Sequence, residues 1–263
     1  VRSPWGNKIS VEIPRGLVSG QVFQVQDPKA AKAPEAPAQP VAPDAGGDAF
    51  GGACRVLVKQ ATIVTGPCGA RPEYRISVPY PDGREGPAFL YAREESRPCA
   101  RACFGPRRPL TLKVHQGSKV DGPVVQSMVK PFSFMWCCCL RPSFTVFGPG
   151  DAPDRVGHIV DSKCLCRLRH DVRNASGEPI FATEGSVCQA GLWWPCCFDA
   201  VFPVQRGGQE VATISKRAST CAEMCAKTHQ MTIDFRQVSD PSEKMMLLAS
   251  TLLLDLEYFE FQN

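Results

Sequence analysis

The chain has 263 residues, with 30 Lys and Arg against 26 Asp and Glu, so its formal net charge is only +4. A charge this small argues against a nucleic-acid-binding protein that relies on a strong basic field. Hydrophobic residues make up 43% and charged residues 21%, which is typical of a folded globular domain and not of a largely disordered chain. The 22 glycines and 24 prolines disfavour long helices and favour short strands joined by turns.

Residues 1–27 predict a short β-hairpin module. Ile9, Val11 and Ile13 alternate with polar residues, which is the pattern of a half-buried strand. A turn signal follows at 14–16, and a second apolar stretch comes after it. A single hairpin is marginally stable in water, and we assign no function to this one.

Residues 28–50 predict a linker rich in Pro, Ala and Gly. Pro34, Pro37, Pro40 and Pro43 recur at every third residue, which matches the three-residue period of polyproline II. A segment of this kind is either a semi-rigid spacer or the ligand of a proline-binding domain. No aromatic anchor flanks the prolines, so the spacer is favoured.

The third predicted region, residues 51–263, is a mainly β domain. Short apolar or alternating runs are separated by turn signals, and about a dozen such runs predict a sandwich or a barrel. The predicted strands are 54–63, 73–78, 88–92, 110–114, 124–129, 143–147, 155–160, 167–172, 179–183, 199–204, 210–215 and 231–235.

A hydrophobic helix is predicted at residues 241–256. Asp240 is in the N-cap position, Pro241 in the first helical position and Glu243 in the third. The helix is apolar almost all the way round, so it must be buried in protein or in lipid. At about 24 Å it is shorter than the roughly 30 Å hydrocarbon core of a bilayer. We therefore expect it to lie inside the β domain, whereas Leu252 and Leu253 would contact the membrane if it lay in lipid.

Four stretches of the chain resemble the phospholipid scramblase family, over roughly residues 54–261. The first is the cysteine-rich segment 99–113, which includes Gly-Pro-Arg-Arg-Pro, and the second is Pro-Phe-Ser-Phe-Met-Trp-Cys-Cys-Cys-Leu at 131–140. The third is 187–199, with its Trp-Trp-Pro-Cys-Cys, and the fourth is the apolar helix with its acidic and aromatic ending at 243–260. Their order and spacing make the resemblance fairly specific.

The resemblance implies a tubby-like fold, in which a closed antiparallel barrel of twelve strands surrounds a hydrophobic C-terminal helix. It also implies association with the cytoplasmic face of the plasma membrane or another cellular membrane. The activity that it implies is calcium-activated, bidirectional movement of phospholipids between leaflets, so the partners are membrane phospholipids. No covalent catalysis is expected, and the residue pattern contains no recognisable nucleophile motif or phosphate loop.

Calcium is disfavoured by the residues that this chain carries. The family's calcium site is an acidic loop that corresponds to residues 226–240, and Lys227 and His229 stand at its first acidic positions. Asp234 and Asp240 remain as weak candidate ligands, but calcium takes six to eight oxygen ligands. The predicted scrambling is therefore no longer calcium-dependent.

In the family, a cysteine cluster is S-palmitoylated, and this role maps onto Cys137, Cys138 and Cys139. Phe134 and Trp136 precede the cluster and are predicted to contact the membrane, because aromatic residues favour its interface. Two acyl chains give stable anchoring where one gives marginal binding. The alternative is a set of buried structural cysteines.

Zinc is a further alternative for the 14 cysteines. The chain offers Cys-x3-Cys, Cys-x-Cys and Cys-Cys spacings, but no Cys-x2-Cys of the kind that structural zinc sites usually pair. Zinc is therefore not expected. The available pairs are Cys99 with Cys103, Cys164 with Cys166, Cys196 with Cys197, and Cys221 with Cys225.

A membrane adaptor is the alternative function. Such a protein would bind anionic lipid headgroups without moving lipids, and arginines would contact the phosphates. The candidate arginines are Arg107, Arg108, Arg167, Arg169 and Arg173. A solvated polar face is the simpler explanation of these residues.

Overall fold

The structure, a computed structural model, describes residues 49–50, 52–63, 71–80, 84–134, 140–150, 154–162, 167–220, 223 and 228–259. The hairpin predicted at 1–27 and nearly all of the linker predicted at 28–50 lie outside the described residues, so both stay predictions. The described residues belong to one compact unit, 42–263.

Twelve strands form in the described part of the chain, each at the place where the sequence pattern predicts one. They are β1 (Arg55–Ile63), β2 (Arg71–Ser77), β3 (Ala88–Glu95), β4 (Leu110–Gln116), β5 (Val124–Lys130), β6 (Ser143–Phe147), β7 (Arg155–Asp161), β8 (Arg167–Asn174), β9 (Pro179–Ser186), β10 (Ala200–Arg206), β11 (Gln209–Lys216) and β12 (Gln230–Asp234).

The strands close into an antiparallel barrel in which every strand pairs with its neighbours in sequence. The ring is closed by β1, where Val58 is opposite Ile76 of β2 and opposite Met231 of β12. Closure leaves no edge strand exposed to pairing with other chains. The predicted closed twelve-stranded barrel is confirmed.

Alternation along each strand divides the barrel wall into an inner and an outer face. In β4, for example, Leu110, Leu112 and Val114 are buried, whereas Thr111 and Lys113 between them are half-buried on the outer face. Successive side chains of a strand point to opposite faces, so this period of two directs the apolar set inward.

A helix fills the barrel. Helix α3 (Pro241–Leu254) follows β12, and a π-helical turn (Asp255–Phe259) continues it. (The shorter helices α1, Pro98–Phe104, and α2, Ala190–Trp193, lie in connections between strands.) The Asp240 side chain accepts a hydrogen bond from the backbone N–H of Glu243 at 3.0 Å, which confirms the predicted cap.

The connections of the barrel alternate between its two ends, because consecutive strands run in opposite directions. Those that follow odd-numbered strands all leave from the same end, which we call the thiol end. In sequence, these six connections carry thirteen of the fourteen cysteines, and only Cys54 lies elsewhere. The thiol-end connections are 64–70, 96–109, 131–142, 162–166, 187–199 and 217–229.

Candidate functional site

Exposed apolar side chains concentrate at the thiol end. Among the described residues, Val156 is the only exposed large apolar side chain at the opposite end of the barrel. Aromatic rings at the protein surface are favoured at membrane interfaces. The exposed aromatic side chains are Phe104 (48% exposed), Phe132 (40%), Trp193 (68%), Trp194 (59%) and Phe198 (53%).

The connection between β9 and β10, Val187–Asp199, which we call the tryptophan loop, carries the three most exposed of these rings. The indole N–H of Trp193 donates to the backbone carbonyl of Val187 at 2.9 Å. Gly191 packs so closely that a Cβ there would lie 2.3 Å from the Asp199 carbonyl oxygen, so only glycine fits. The loop is therefore a closed structure with its aromatic rings directed outward.

The tryptophan loop is also fastened to the neighbouring connection. The Pro195 carbonyl accepts from the backbone N–H of Ser219 at 2.7 Å, and the Asp199 carboxylate accepts from the backbone N–H of Ala218 at 2.7 Å. These bonds join the connection after β9 to the connection after β11. They hold the loop in place at the barrel end.

Two adjacent thiols lie beside the exposed tryptophans. Cys196 and Cys197 are both exposed, and their Sγ atoms are 3.4 Å apart. The hydrogen bond between the two thiols, together with the repulsion of a second negative charge, raises the pKa of the Cys197 thiol. Cys188, at the start of the loop, is exposed as well.

Buried polar bonds fix the bases of two other thiol-end connections. Lys130, at the end of β5, is 1% exposed and donates to the Pro106 carbonyl at 2.9 Å and to the Ser133 hydroxyl at 2.8 Å. Arg108 forms a buried ion pair with Glu94 of β3. These bonds anchor the end of the segment after β3 and the start of the segment after β5.

The predicted palmitoylation cluster follows this anchored segment directly. Phe134 is half-buried, with its ring 4.5 Å from the Arg107 guanidinium carbon. Trp136 and the three thiols, Cys137, Cys138 and Cys139, lie outside the described residues. Their acylation and membrane contact therefore stay predictions.

A buried polar network joins the C-terminal turn to the barrel wall. The Tyr74 hydroxyl donates to Asp255 at 2.9 Å, and His170 Nε2 lies 3.0 Å from the Glu257 carboxylate. Burial raises the pKa of Glu257, although His170 opposes that shift. These pairs were not predicted from the sequence. The one signal for them is the presence of two acidic residues, Asp255 and Glu257, at the end of an apolar helix.

The two candidate calcium ligands have other partners. Asp234 forms an ion pair with Arg55 at 2.8 Å. Asp240 accepts from the Ser242 hydroxyl at 2.6 Å and from the Glu243 N–H, which together lower the pKa of its carboxyl. Within the described ranges, no group of three or more His, Cys, Asp or Glu side chains is placed to hold a metal ion.

Leu252 and Leu253 are both 0% exposed inside the barrel. They would reach lipid only if helix α3 left the barrel. Of the residues that the structure describes, none forms a helix that combines the length and the hydrophobicity needed to cross a bilayer.

The arginines proposed for headgroup binding are mostly engaged within the protein. Arg108 is buried, and Arg169 forms ion pairs with Asp171 and Glu184 on the outer wall. Arg173 donates to the Gly177 carbonyl. The side chain of Arg167 lies 3.7 Å from the Glu184 carboxylate but is 67% exposed, and Arg107 is also exposed beside Phe134.

Comparison with known proteins finds relatives that are named phospholipid scramblases. Phospholipid scramblase 1 of Homo sapiens is 24% identical over 182 residues, which cover 66% of this chain and 54% of that protein. Phospholipid scramblase 2 of Bos taurus is 25% identical over 182 residues (66% and 58%), and phospholipid scramblase 4 of Mus musculus is 24% identical over 173 residues (64% and 50%). The chain thus spans little more than half the length of these relatives, and no solved structure matches it significantly.

A family model described as Scramblase matches residues 83–261, from the approach to β3 through the end of helix α3. This match covers more than half of the chain and includes most of the barrel together with the helix it encloses. The chain belongs to the scramblase family.

Proposed function

We propose that this protein moves phospholipids in both directions between the leaflets of a membrane. The observation that carries the proposal is the family match over residues 83–261, together with relatives that are named phospholipid scramblases. Lipid movement of this kind breaks and forms no covalent bond. The protein is accordingly a lipid translocator and not a catalyst of a chemical reaction.

The proposed mechanism keeps helix α3 inside the barrel. Fully burying one leucine contributes about 1.5–3 kcal/mol, and Leu247, Leu248, Leu252 and Leu253 are each 0% exposed. Withdrawal of the helix would leave the inner face of the barrel without its packing partner. It would also break the Tyr74–Asp255 hydrogen bond inside the barrel. The barrel therefore acts on the bilayer from its surface, with the thiol end toward the lipid.

S-palmitoylation of Cys137, Cys138 and Cys139 is the proposed anchor. The cluster follows Phe132, which is 40% exposed, and the half-buried Phe134, so apolar rings precede the thiols. Two or three acyl chains would change marginal membrane binding into stable anchoring. Membrane contact by Trp136 belongs to the same proposal.

The proposed activity does not require calcium. Asp234 already neutralises Arg55, and Asp240 already caps helix α3, so both carboxylates have structural partners. His229 is buried, and burial together with the nearby Lys216 lowers its pKa to about 4. It is therefore a neutral imidazole at neutral pH, and its side chain has no oxygen to offer calcium.

The proposed location is the cytoplasmic face of the plasma membrane or of another cellular membrane. Six cysteines of the described part of the chain are free and exposed, which is typical of a reducing compartment. The segment from Pro34 to Pro43 would extend from the barrel domain as a spacer, or as a ligand for a proline-binding domain.

A membrane adaptor without transport activity is the second candidate function. The exposed side chains of Arg107 and Arg167 favour it, since both could contact lipid phosphates, although Arg167 also lies 3.7 Å from Glu184. The buried Arg108 and the paired Arg169 do not.

Vesicles that contain a fluorescent phospholipid in both leaflets test the proposal. The purified full chain is reconstituted with and without calcium, and loss of fluorescence to a membrane-impermeant quencher is followed. A scramblase exposes the inner-leaflet lipid to the quencher, whereas an adaptor binds the vesicles and leaves that lipid protected.

A further inference from the structure

We propose that the tryptophan loop, Val187–Asp199, inserts into the interface of the membrane, and that Cys196 and Cys197 form a second S-acylation site there. The proposal deepens the function proposed above, because it assigns the membrane-facing surface of the barrel. It rests on described residues that are separate from the cluster at 137–139.

The aromatic rings of the tryptophan loop are exposed. Trp193 and Trp194 are the most exposed large apolar side chains of the described residues, at 68% and 59%. The one polar group of the Trp193 ring already donates to the Val187 carbonyl at 2.9 Å. The ring can therefore enter an apolar phase without leaving a hydrogen-bond donor unsatisfied.

The backbone of the loop forms hydrogen bonds within the loop itself. The N–H of Cys197 donates to the Trp194 carbonyl at 3.0 Å, and the N–H of Trp194 donates to the Ala190 carbonyl at 2.8 Å. Internal bonds of this kind lower the cost of moving a segment out of water. Because the loop is already folded, insertion requires little further ordering.

The positive charge at the thiol end also favours binding to a membrane. The thiol end presents the exposed arginines Arg97, Arg107 and Arg217 in its described connections. Arginine and lysine near a membrane surface are attracted to anionic headgroups. Apolar rings and cations at the same end of the barrel match the surface of a bilayer that contains anionic lipid, which we take as the occupant of this surface.

The two thiols also provide the nucleophiles that S-acylation requires. Insertion of Trp193 and Trp194 would bring Cys196 and Cys197 to the depth at which acyl donors of the membrane lie. In the reaction, the cysteine sulfur attacks the carbonyl carbon of a long-chain acyl thioester such as acyl-coenzyme A. A new carbon–sulfur bond forms, the donor's carbon–sulfur bond breaks, and the donor leaves as a thiol with the proton that the cysteine loses. No oxidant or reductant is needed.

Vesicle binding of the full chain tests the insertion. The vesicles consist of phosphatidylcholine with a minority of phosphatidylserine, and pure phosphatidylcholine provides the comparison. W193S/W194S is expected to bind about tenfold more weakly, which corresponds to about 1.4 kcal/mol. V156S, which alters an exposed apolar side chain at the opposite end, is expected to bind like the unmodified chain. W194S alone leaves the Trp193 hydrogen bond intact, so it gives an intermediate loss without a change in the fold.

Unchanged binding of W193S/W194S would overturn the insertion, and so would an equal loss in V156S. Lipid scrambling is measured separately on the same preparations. A chain that binds through the loop but moves no lipid contradicts the proposed function and leaves the insertion standing. If the chain moves lipid and W193S/W194S binds vesicles as well as the unmodified chain does, the insertion is contradicted and the proposed function stands.

Thioester exchange on the protein from eukaryotic cells tests the acylation. In a C137S/C138S/C139S background, a residual thioester is expected. It should be lost when C196S/C197S is added and kept when C54S is added, because Cys54 is exposed but lies outside the thiol end. Absence of a residual thioester, or its survival in C196S/C197S, would overturn this part of the proposal.

Discussion

His170 Nε2 of β8 lies 3.0 Å from Glu257 Oε2 in the turn that ends helix α3, and the two side chains are 0% and 3% exposed. Their positions are 87 residues apart in sequence. The pair joins the enclosed helix to the wall near the thiol end. Because both groups are removed from water, their loss is costly even though a buried pair need not be strongly stabilising in itself.

Replacing Glu257 tests how firmly this contact holds the helix. Glu257→Ala removes the partner of His170 Nε2 and is expected to lower the free energy of unfolding by about 3–5 kcal/mol. Glu257→Gln keeps an oxygen and an amide at the same place and is expected to cost less. Urea unfolding of the two variants measures the difference, and equal losses would show that the contact with His170 is not the cause.

The stability of the protein is expected to depend on pH through His229. Its pKa is lowered to about 4 in the folded protein, by burial and then by Lys216, whereas the ordinary value is 6.5. Between these values the unfolded chain binds a proton that the folded chain does not bind. Stability therefore falls as the pH decreases from 6.5 towards 4, by at most about 3 kcal/mol from this group.

The variant His229→Gln removes this titration while keeping a side chain that can donate a hydrogen bond. Unfolding curves at pH 7 and at pH 5 should differ less for the variant than for the unmodified chain. The same pH dependence in both proteins would mean that other groups, such as Glu257, account for it.

Much of the architecture could be predicted from the sequence. Alternation of apolar and polar residues predicts all twelve strands, and the Asp240 cap with Pro241 predicts the start of helix α3. Such signals are local, because a strand or a cap depends on a few neighbouring residues. The end of the helix is less exact, since the chain continues as a π turn from Asp255.

The candidate site could be predicted only in part. The Tyr74–Asp255 hydrogen bond joins residues 181 positions apart, and no local sequence pattern predicts a contact between residues so far apart in the chain. The grouping of the cysteines at the thiol end follows from the order of the strands. Cysteines that follow odd-numbered strands must meet at one end of an antiparallel barrel, so the sequence carried that signal once the strands were assigned.

A disulfide between helix and wall tests whether the helix stays enclosed. The Thr183 and Ser250 hydroxyl oxygens are 3.4 Å apart and buried, so this pair is the one chosen for replacement by cysteines. We expect T183C/S250C, once oxidised, to scramble lipids at an unchanged rate. Scrambling that is blocked in the oxidised variant and restored by a reductant would show that the helix must leave, and T183C alone is the control.

Asp240 separates helix capping from calcium binding. Asp240→Ala removes the acceptor for the Glu243 N–H and is expected to cost about 1 kcal/mol, whereas Asp240→Asn keeps a capping oxygen and is expected to cost little. Calorimetric titration with calcium should show no saturable site in the unmodified chain. A site that is lost in Asp240→Asn would contradict the proposed independence from calcium.

The central claim is that this barrel moves phospholipids without calcium while its helix stays inside. The most direct measurement is the quenching of fluorescent lipid in both leaflets of vesicles that carry the full chain, with a calcium chelator present. The account predicts that the inner-leaflet fluorescence is lost at the same rate with the chelator as with calcium. Inner-leaflet fluorescence that stays protected with the chelator, on vesicles to which the protein is bound, would contradict it.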